Sequence, residues 1–494
     1  MPNAIAYLAL LIWPFVIVAM FRKMPIERAF IWAIVGGYMF LPERTEFNFP
    51  MIPAFTKETI PNLTVLVVCV VLLKMRPALL PQGLLGKALF VLLITTPMVS
   101  VVFNLDPITF ATHYSGRLVF VKEPIAPVPG MRVYDALSAL ISQLFFILPF
   151  FLARKILASE AALTELLRAL MFAGLIYSAP ILWEVRFSPQ LHTDIYGFFQ
   201  HDFHQMMREG GFRPIVFMPH GLWVALFMVM TAISALHFAK QAAPNDRLKA
   251  VGVTLWLFFI VILCKSLGPL MFLFALTAGV LFLGPKMQLR AGAAMAAITI
   301  AYPAMRGAGL IPTDWLVAWL EARKPDRAQS LWYRFYNEDM LLDRAAERPV
   351  FGWGGWGRNQ VYDMQSGEAI SVTDGQWIIT IGSYGWIGYI ALFGLLCLPL
   401  IALWWRYRSA PAAQIPPQVG VLVLMHGAGL IDLLPNATMV TLTWLMAGAL
   451  LGHAELVHRR TQLVRLEGLR SAPHRAGLLG TARTREPVLN RSIL

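Results

Sequence analysis

Residues 377–404 read Trp-Ile-Ile-Thr-Ile-Gly-Ser-Tyr-Gly-Trp-Ile-Gly-Tyr-Ile-Ala-Leu-Phe-Gly-Leu-Leu-Cys-Leu-Pro-Leu-Ile-Ala-Leu-Trp, with no charge among them and Arg406 and Arg408 just beyond. A run of more than about 18 apolar residues has the length and chemistry of a membrane-crossing helix. The rest of the chain repeats the pattern. Apolar windows fall at 4–21, 27–41, 59–73, 88–103, 136–153, 163–183, 219–238, 251–264, 267–284, 289–305, 377–404, 419–434 and 437–452. The composition agrees: of 494 residues 57% are hydrophobic and 14% charged, with mean hydropathy +0.62. A soluble chain carries about 25% charge. A water-soluble multidomain enzyme, a disordered chain and a disulfide scaffold are excluded. The short alternating segments of a β-barrel do not dominate. The expected fold is all-α, a polytopic integral membrane protein of about 12–13 transmembrane helices.

Cys69, Cys264 and Cys397 all lie inside apolar runs without the spacing of a zinc site or a disulfide framework. The first window lacks a basic flank on its N-terminal side and has Arg22 and Lys23 after it, so it reads as a retained span rather than a cleaved signal. Whether it crosses fully is open.

The connections alternate in basic content. Arg22, Lys23 and Arg28 lie on one side, as do Lys74, Arg76 and Lys87, then Arg154, Lys155 and Arg168, then Lys240, Arg247 and Lys249, then Lys286 and Arg290, then Arg406 and Arg408. The segment 458–494 adds eight arginines to that side. Basic connections mark the cytoplasmic face. The N-terminus is therefore expected outside and the C-terminus in the cytoplasm. The net charge of +13 belongs to the inner membrane surface, where it contacts anionic lipid, and not to nucleic acid.

This arrangement divides the chain into a helical region 1–305 with outer loops 42–58, 104–134 and 185–218, a long outer loop 306–373, further helices over 374–457, and a basic tail 458–494. The tail after about Leu469 is expected to be disordered. With no soluble domain, any chemistry belongs to the outer loops and the helix ends beneath them.

Three clusters carry candidate chemistry. The first is Gly210-Gly-Phe-Arg-Pro-Ile-Val-Phe-Met-Pro-His-Gly221, where Arg213 and His220 flank the start of a helix and Pro219 fits its first turn. An arginine there offers a two-pronged donor to a phosphate, and a helix N-terminus favours anions. The plainer alternatives are an arginine reaching for lipid headgroups and a packed histidine. His192, His201 and His204 share this loop, without the companion ligands a metal site needs.

The second cluster is the long loop. Residues 330–336 read as an amphipathic helical segment containing Arg334, followed by Arg348-Pro-Val-Phe-Gly-Trp-Gly-Gly-Trp-Gly357. The glycines permit a tight turn. Trp353 and Trp356 offer flat faces suited to sugar rings, or to the aromatic belt of the bilayer. The run lacks the Gly-Lys-Ser/Thr of a phosphate loop. The third cluster is Asp374-Gly-Gln376-Trp, at the start of the apolar run that opened this section. Asp374 reads either as a helix cap or as a general base at the rim of a membrane cavity. Gly382, Gly385 and Gly388 read as helix-packing positions. Lys265 and Asp432 are ionisable residues at expected helix ends.

Together these clusters resemble the O-antigen ligase and O-antigen/exopolysaccharide polymerase superfamily of bacterial membrane glycosyltransferases. The resemblance rests on Phe212-Arg213-Pro214 with His220, on Arg334 and Arg348-Pro-Val-Phe-Gly-Trp-Gly354, and on Asp374-Gly-Gln-Trp377, in that order over residues 210–394. It implies a GT-C-like fold in the bacterial inner membrane with a periplasm-facing site. It implies inverting transfer from an undecaprenyl-pyrophosphate-linked glycan to another glycan or to lipid A–core, without nucleotide sugar, ATP, metal or other cofactor. Carried over residue by residue, Arg213, His220 and Asp374 become candidate catalytic residues. Arg334, Arg348, Trp353, Trp356 and Gln376 become candidate substrate-binding residues, with Arg334 or Arg348 matching the family's loop arginine. Asp374 stands where ligases carry His followed by Asn, which favours polymerase over ligase. Two rivals remain: a lipid-linked sugar flippase or other transporter, and a different polyprenyl-dependent enzyme with its acids, Glu43 and Glu46, in the first outer loop.

Overall fold

The computed structural model describes residues 1–49, 52–76, 80–110, 126–208 and 210–471. The expected disordered tail falls almost wholly outside the described residues.

The chain opens with α1 (Ala4–Lys23) and α2 (Ile26–Phe40), then a hairpin of β1 (Phe47–Phe49) and β2 (Ile52–Phe55). There follow α3 (Thr59–Val67), α4 (Leu84–Val102), α5 (Val133–Ile156), α6 (Glu160–Phe187) and the short α7 (Leu191–Tyr196). A second hairpin, β3 (Met207–Arg208) and β4 (Gly211–Phe212), precedes α8 (Gly221–Gln241), α9 (Pro244–Leu263), α10 (Leu267–Phe282) and α11 (Pro285–Gly307). The segment after α11 forms α12 (Thr313–Glu321) and α13 (Pro325–Ala346), and the chain continues through α14 (Gln376–Tyr407), α15 (Pro417–Asp432) and α16 (Thr441–Ser471).

Every apolar window of the sequence falls on a helix. Among the described residues α1, α4, α5, α6, α8 and α14 are long and apolar enough to cross a membrane, and Thr59–Leu72, α10 and α15 are shorter apolar helices. Large apolar side chains such as Leu8, Leu11 and Phe15 on α1 or Phe274 and Phe282 on α10 point outward. Water would penalise so much exposed hydrocarbon. The protein is an all-α, multi-pass membrane protein.

The sequence specifies the helix starts locally. Asn3 Oδ1 accepts from the Ala6 amide at 3.1 Å, and Ser159 Oγ accepts from Ala162 at 3.2 Å. Proline occupies the first turn of α9, α11, α13 and α15, where its missing N–H costs nothing. The core forms where α16 packs on α5, α11 on α14 and α15, α8 on α6, α9 and α10, and α4 on α14.

Two expectations need correction. Pro219 is not in the first turn of α8: the helix begins at Gly221 and His220 is its cap, with Nδ1 accepting from the Leu222 amide at 3.1 Å. Nor is α14 one continuous helix. Gly385, at φ 65° and ψ −169°, interrupts it. That conformation is open essentially only to glycine.

Candidate functional site

Residues 213–220 carry no regular structure, yet their backbone groups are held from several sides. The Glu184 carboxylate, buried at the end of α6, accepts from the amides of Ile215 and Val216, both at 2.8 Å. Gln200 Nε2 donates to the carbonyls of Val216 and Met218. Lys57 Nζ donates to the Phe217 carbonyl at 2.8 Å, and the Phe217 amide donates to the Tyr177 hydroxyl at 3.2 Å. Lys57 is itself buried and ion-paired to Glu43 at 3.1 Å. The grip explains how Val216, a β-branched residue, stays at φ 50°. Such a backbone persists only where its surroundings over-determine it.

The clamped loop presents Arg213 inward. Its Nε and Nη2 donate to Ser266 Oγ at 3.0 and 2.6 Å, and Ser266 donates onward to the Cys264 carbonyl. Gly221 leaves room for the arginine: a Cβ there would lie 2.8 Å from its Nε. Arg213 is buried, and among the described residues no carboxylate pairs with it and nothing accepts from Nη1. Burial, with Arg208 nearby, pulls the guanidinium down to about 10, still fully charged at neutral pH.

Arg213 and His220 line a cavity of about 550 Å³ with Arg208, Lys265, Arg327 and Arg334. Three chain segments therefore deliver five cations, the β3–loop region, the α9–α10 junction and α13, and the cap of α8 adds His220. Lys265 adopts φ 47° at that junction and donates to the Arg208 carbonyl at 3.1 Å. The one carboxylate among the lining residues is Asp432, at the end of α15. Its oxygens already accept from Thr438 at 2.6 Å and Asn436 at 3.0 Å. A wall so unbalanced in charge is suited to a multiply charged anion.

Asp374 does not cap α14, whose N-cap is Gly375 with no side-chain bond. It pairs instead with Arg334 at 3.5 Å, both side chains 41% exposed. Through Arg334 the third sequence cluster meets the first. Gln376 follows at the start of α14, its amide donating to the carbonyls of Leu433 and Asn436, in the segment that walls the basic cavity. Its side chain faces the other way, into a mostly apolar cavity of about 310 Å³ between α4, α5, α14 and α16. A basic chamber and an apolar chamber thus stand on either side of residues 374–376 and 433–436.

The Gly-rich turn lies elsewhere. It fills the break in α14: Trp353 and Gly354 amides donate to the carbonyls of Gly382 and Ser383, each at 2.8 Å, and the Trp386 amide donates to the Pro349 carbonyl at 2.8 Å. Trp353 is 7% exposed, its indole covered by Arg344 and Arg348 at 3.3 and 4.1 Å and its Nε1 donating to the Arg344 carbonyl. Arg348 donates to Asn104 Oδ1 at 2.7 Å and to the Phe103 carbonyl. These two residues line a separate cavity of about 580 Å³ with Asp106, Asp343 and Glu347. Trp356, 69% exposed, stands on the surface.

The histidines of the 185–218 loop are dispersed. His192 accepts from the Glu43 amide and faces the Phe198 carbonyl, while His201 lies 4.7 Å from His220, ring to ring. Among the described residues no three His, Cys, Asp or Glu side chains converge as a metal set. Glu184, Lys57, Gln200, Ser266, Arg208 and Arg327 escaped sequence reading. Glu184 alone carried a signal, a carboxylate at the C-terminal end of an apolar helix. Compared with known proteins, the chain matches no family model and has no significant match among curated proteins.

Proposed function

We propose that the protein is a glycosyltransferase of 12–13 spans, GT-C-like, whose site faces the periplasm. It would extend undecaprenyl-pyrophosphate-linked saccharides as an exopolysaccharide or O-antigen polymerase. The observation that carries this reading is Arg213, a buried guanidinium with no acid partner among the described residues, in a wall shared with Arg208, Lys265, Arg327 and Arg334. Burying an unpaired charge is costly unless an anion completes it. A pyrophosphate does so with several oxygens, and arginine suits it by its two-pronged geometry. The apolar chamber beside Gln376 supports the amphiphilic character of the donor.

In this reaction an acceptor hydroxyl oxygen attacks the anomeric carbon and the bond from that carbon to the pyrophosphate oxygen breaks. The electron pair leaves on the lipid pyrophosphate, and the hydroxyl proton passes to a base. The cationic wall stabilises the charge that grows on the leaving group. Asp374, held beside Arg334 at the cavity rim, is the base assigned to the acceptor. His220, capping α8 through Nδ1, keeps its Nε2 for a hydrogen-bond donation at the cavity.

The test is the glycan profile of a strain lacking the chain, complemented with wild type, Arg213→Ala or Asp374→Ala. Loss of long polymer, with single repeat units still capped onto lipid A–core, is the expected result for the deletion and both variants, each reaching the membrane in normal amount. Polymer accumulating on undecaprenyl pyrophosphate with bare lipid A–core would make the protein a ligase instead. Normal polymer from both variants would overturn the assignment.

A further inference from the structure

The outer segment contains a helix that the cavities do not explain. α12 has no buried residue in its nine. With about 100° per residue, its side chains fall into three sectors. Leu316 and Leu320 share one and are half-buried, as expected of the face toward α13, against which α12 packs. Asp314 and Glu321 share a second, exposed one. Trp315 and Trp319, about 40° apart by the same geometry, share the third and are 63% and 46% exposed. One contact and one charged face account for two sectors. Apart from Arg323 over the Trp319 ring, the tryptophan face has no ring or cation contact among the described residues.

Its position indicates what covers it. The second half of α11, on the apolar window 289–305, displays Ile298, Ile300 and Met305 outward. The chain then turns tightly, the Leu310 amide donating to the Met305 carbonyl, with Leu310 also exposed. α12 begins three residues later. Leu310, Trp315 and Trp319 thus follow the exposed apolar residues of α11 closely along the chain. Just past α12, the Arg323 guanidinium lies 4.2 Å over the Trp319 ring and donates to the Trp319 carbonyl. Tryptophan beside arginine, at the end of a membrane helix, is the chemistry of the headgroup region.

We infer that α12 lies in the outer-leaflet interface, seating Trp315 and Trp319 in lipid with Asp314 and Glu321 toward water. The α12–α13 hairpin is then a membrane-anchored platform. α13 extends from it and carries Arg327, Ser330 and Arg334 to the basic cavity. The inference does not depend on what that cavity binds.

Spin labels test it in the full chain reconstituted into lipid nanodiscs. The three native cysteines are buried, so single variants Trp315→Cys, Trp319→Cys, Asp314→Cys and Glu321→Cys can be labelled selectively. Power saturation then compares collision with oxygen, which concentrates in lipid, and with a water-soluble nickel chelate. The expected result is several-fold oxygen preference at 315 and 319 and the reverse at 314 and 321. Nickel preference at all four positions would overturn the inference, leaving the helix in water. Protection from both reagents at 315 and 319 would also overturn it, because protein rather than lipid would then cover the face. All four replaced residues are exposed, so misfolding is not expected. A monodisperse nanodisc peak for each variant checks this.

Discussion

The basic cavity and the Gly-rich turn both carry motif arginines, and α13 reaches both, yet their arginines do opposite things. Around the turn, the donors of Arg358 and Arg348 end on the protein itself. Arg358 donates to the carbonyls of Trp353, Pro129 and Asp106, and Arg348 to Asn104 and Phe103. In the cavity, Arg213 spends two donors on one serine and, among the described residues, keeps Nη1, while Arg334 meets Asp374 at 3.5 Å. An arginine saturated by carbonyls ties segments together, whereas one with donors left over is equipped for a ligand.

The sharpest way to break this comparison is at Gly385. A valine there would force a side chain into a glycine-only conformation, where strain alone costs about 1–3 kcal/mol. Its Cβ would also meet the Val350 backbone at 2.3 Å. Gly385→Val should abolish recovery of monodisperse protein from detergent, read by size-exclusion chromatography. Recovery at the wild-type level would mean that the turn does not need the break. A finer contrast pairs Arg348→Ala with Arg334→Ala. The first leaves the buried Asn104 side chain without its guanidinium donor and should lower unfolding free energy by about 1–3 kcal/mol. The second changes an exposed position and should stay within about 0.5 kcal/mol. Pyrophosphate binding by calorimetry should weaken with Arg334→Ala and persist with Arg348→Ala. The reverse pattern would exchange the roles of the two regions.

The smallest effect concerns α13 between them. Burial raises the Glu338 carboxyl from 4.5 to about 7, opposed by Arg306 at 3.5 Å. The folded chain therefore holds this proton more tightly than the unfolded chain does. The associated stability is complete below pH 4.5 and fades as pH rises through about 7. Thermal unfolding between pH 5 and 8 should show a modest fall that Glu338→Gln flattens. A slope unchanged in the variant would remove Glu338 as its source.

The fold was legible because apolar runs of membrane length need no knowledge of distant contacts. Arg213, His220 and Arg334 were legible as motif residues, and the structure brings them to one cavity. Trp353 and Arg348 were read as ligand-facing from the same kind of motif; the structure sets them on a second cavity, with Arg344 over the indole and Asn104 accepting from the guanidinium. Only their partners, Arg344 and Asn104, reveal this, and no local spacing encodes such long-range pairings. Lys57 and Glu184 were illegible for the same reason: their importance lies in which loop amides and carbonyls they reach. The break at Gly385 was hidden because its sequence is as apolar as an unbroken span.

That break bears on how the protein is made. Residues 349–354 leave the ribosome before 376–407 do, so the plug exists before its socket. A nascent α14 in hydrocarbon can satisfy its backbone only as a continuous helix. Its carbonyls at Gly382 and Ser383 become available to Trp353 and Gly354 only when the helix opens at Gly385. Insertion and final folding of this span are therefore separate events, with docking of the turn as the step that commits the helix to its interrupted form.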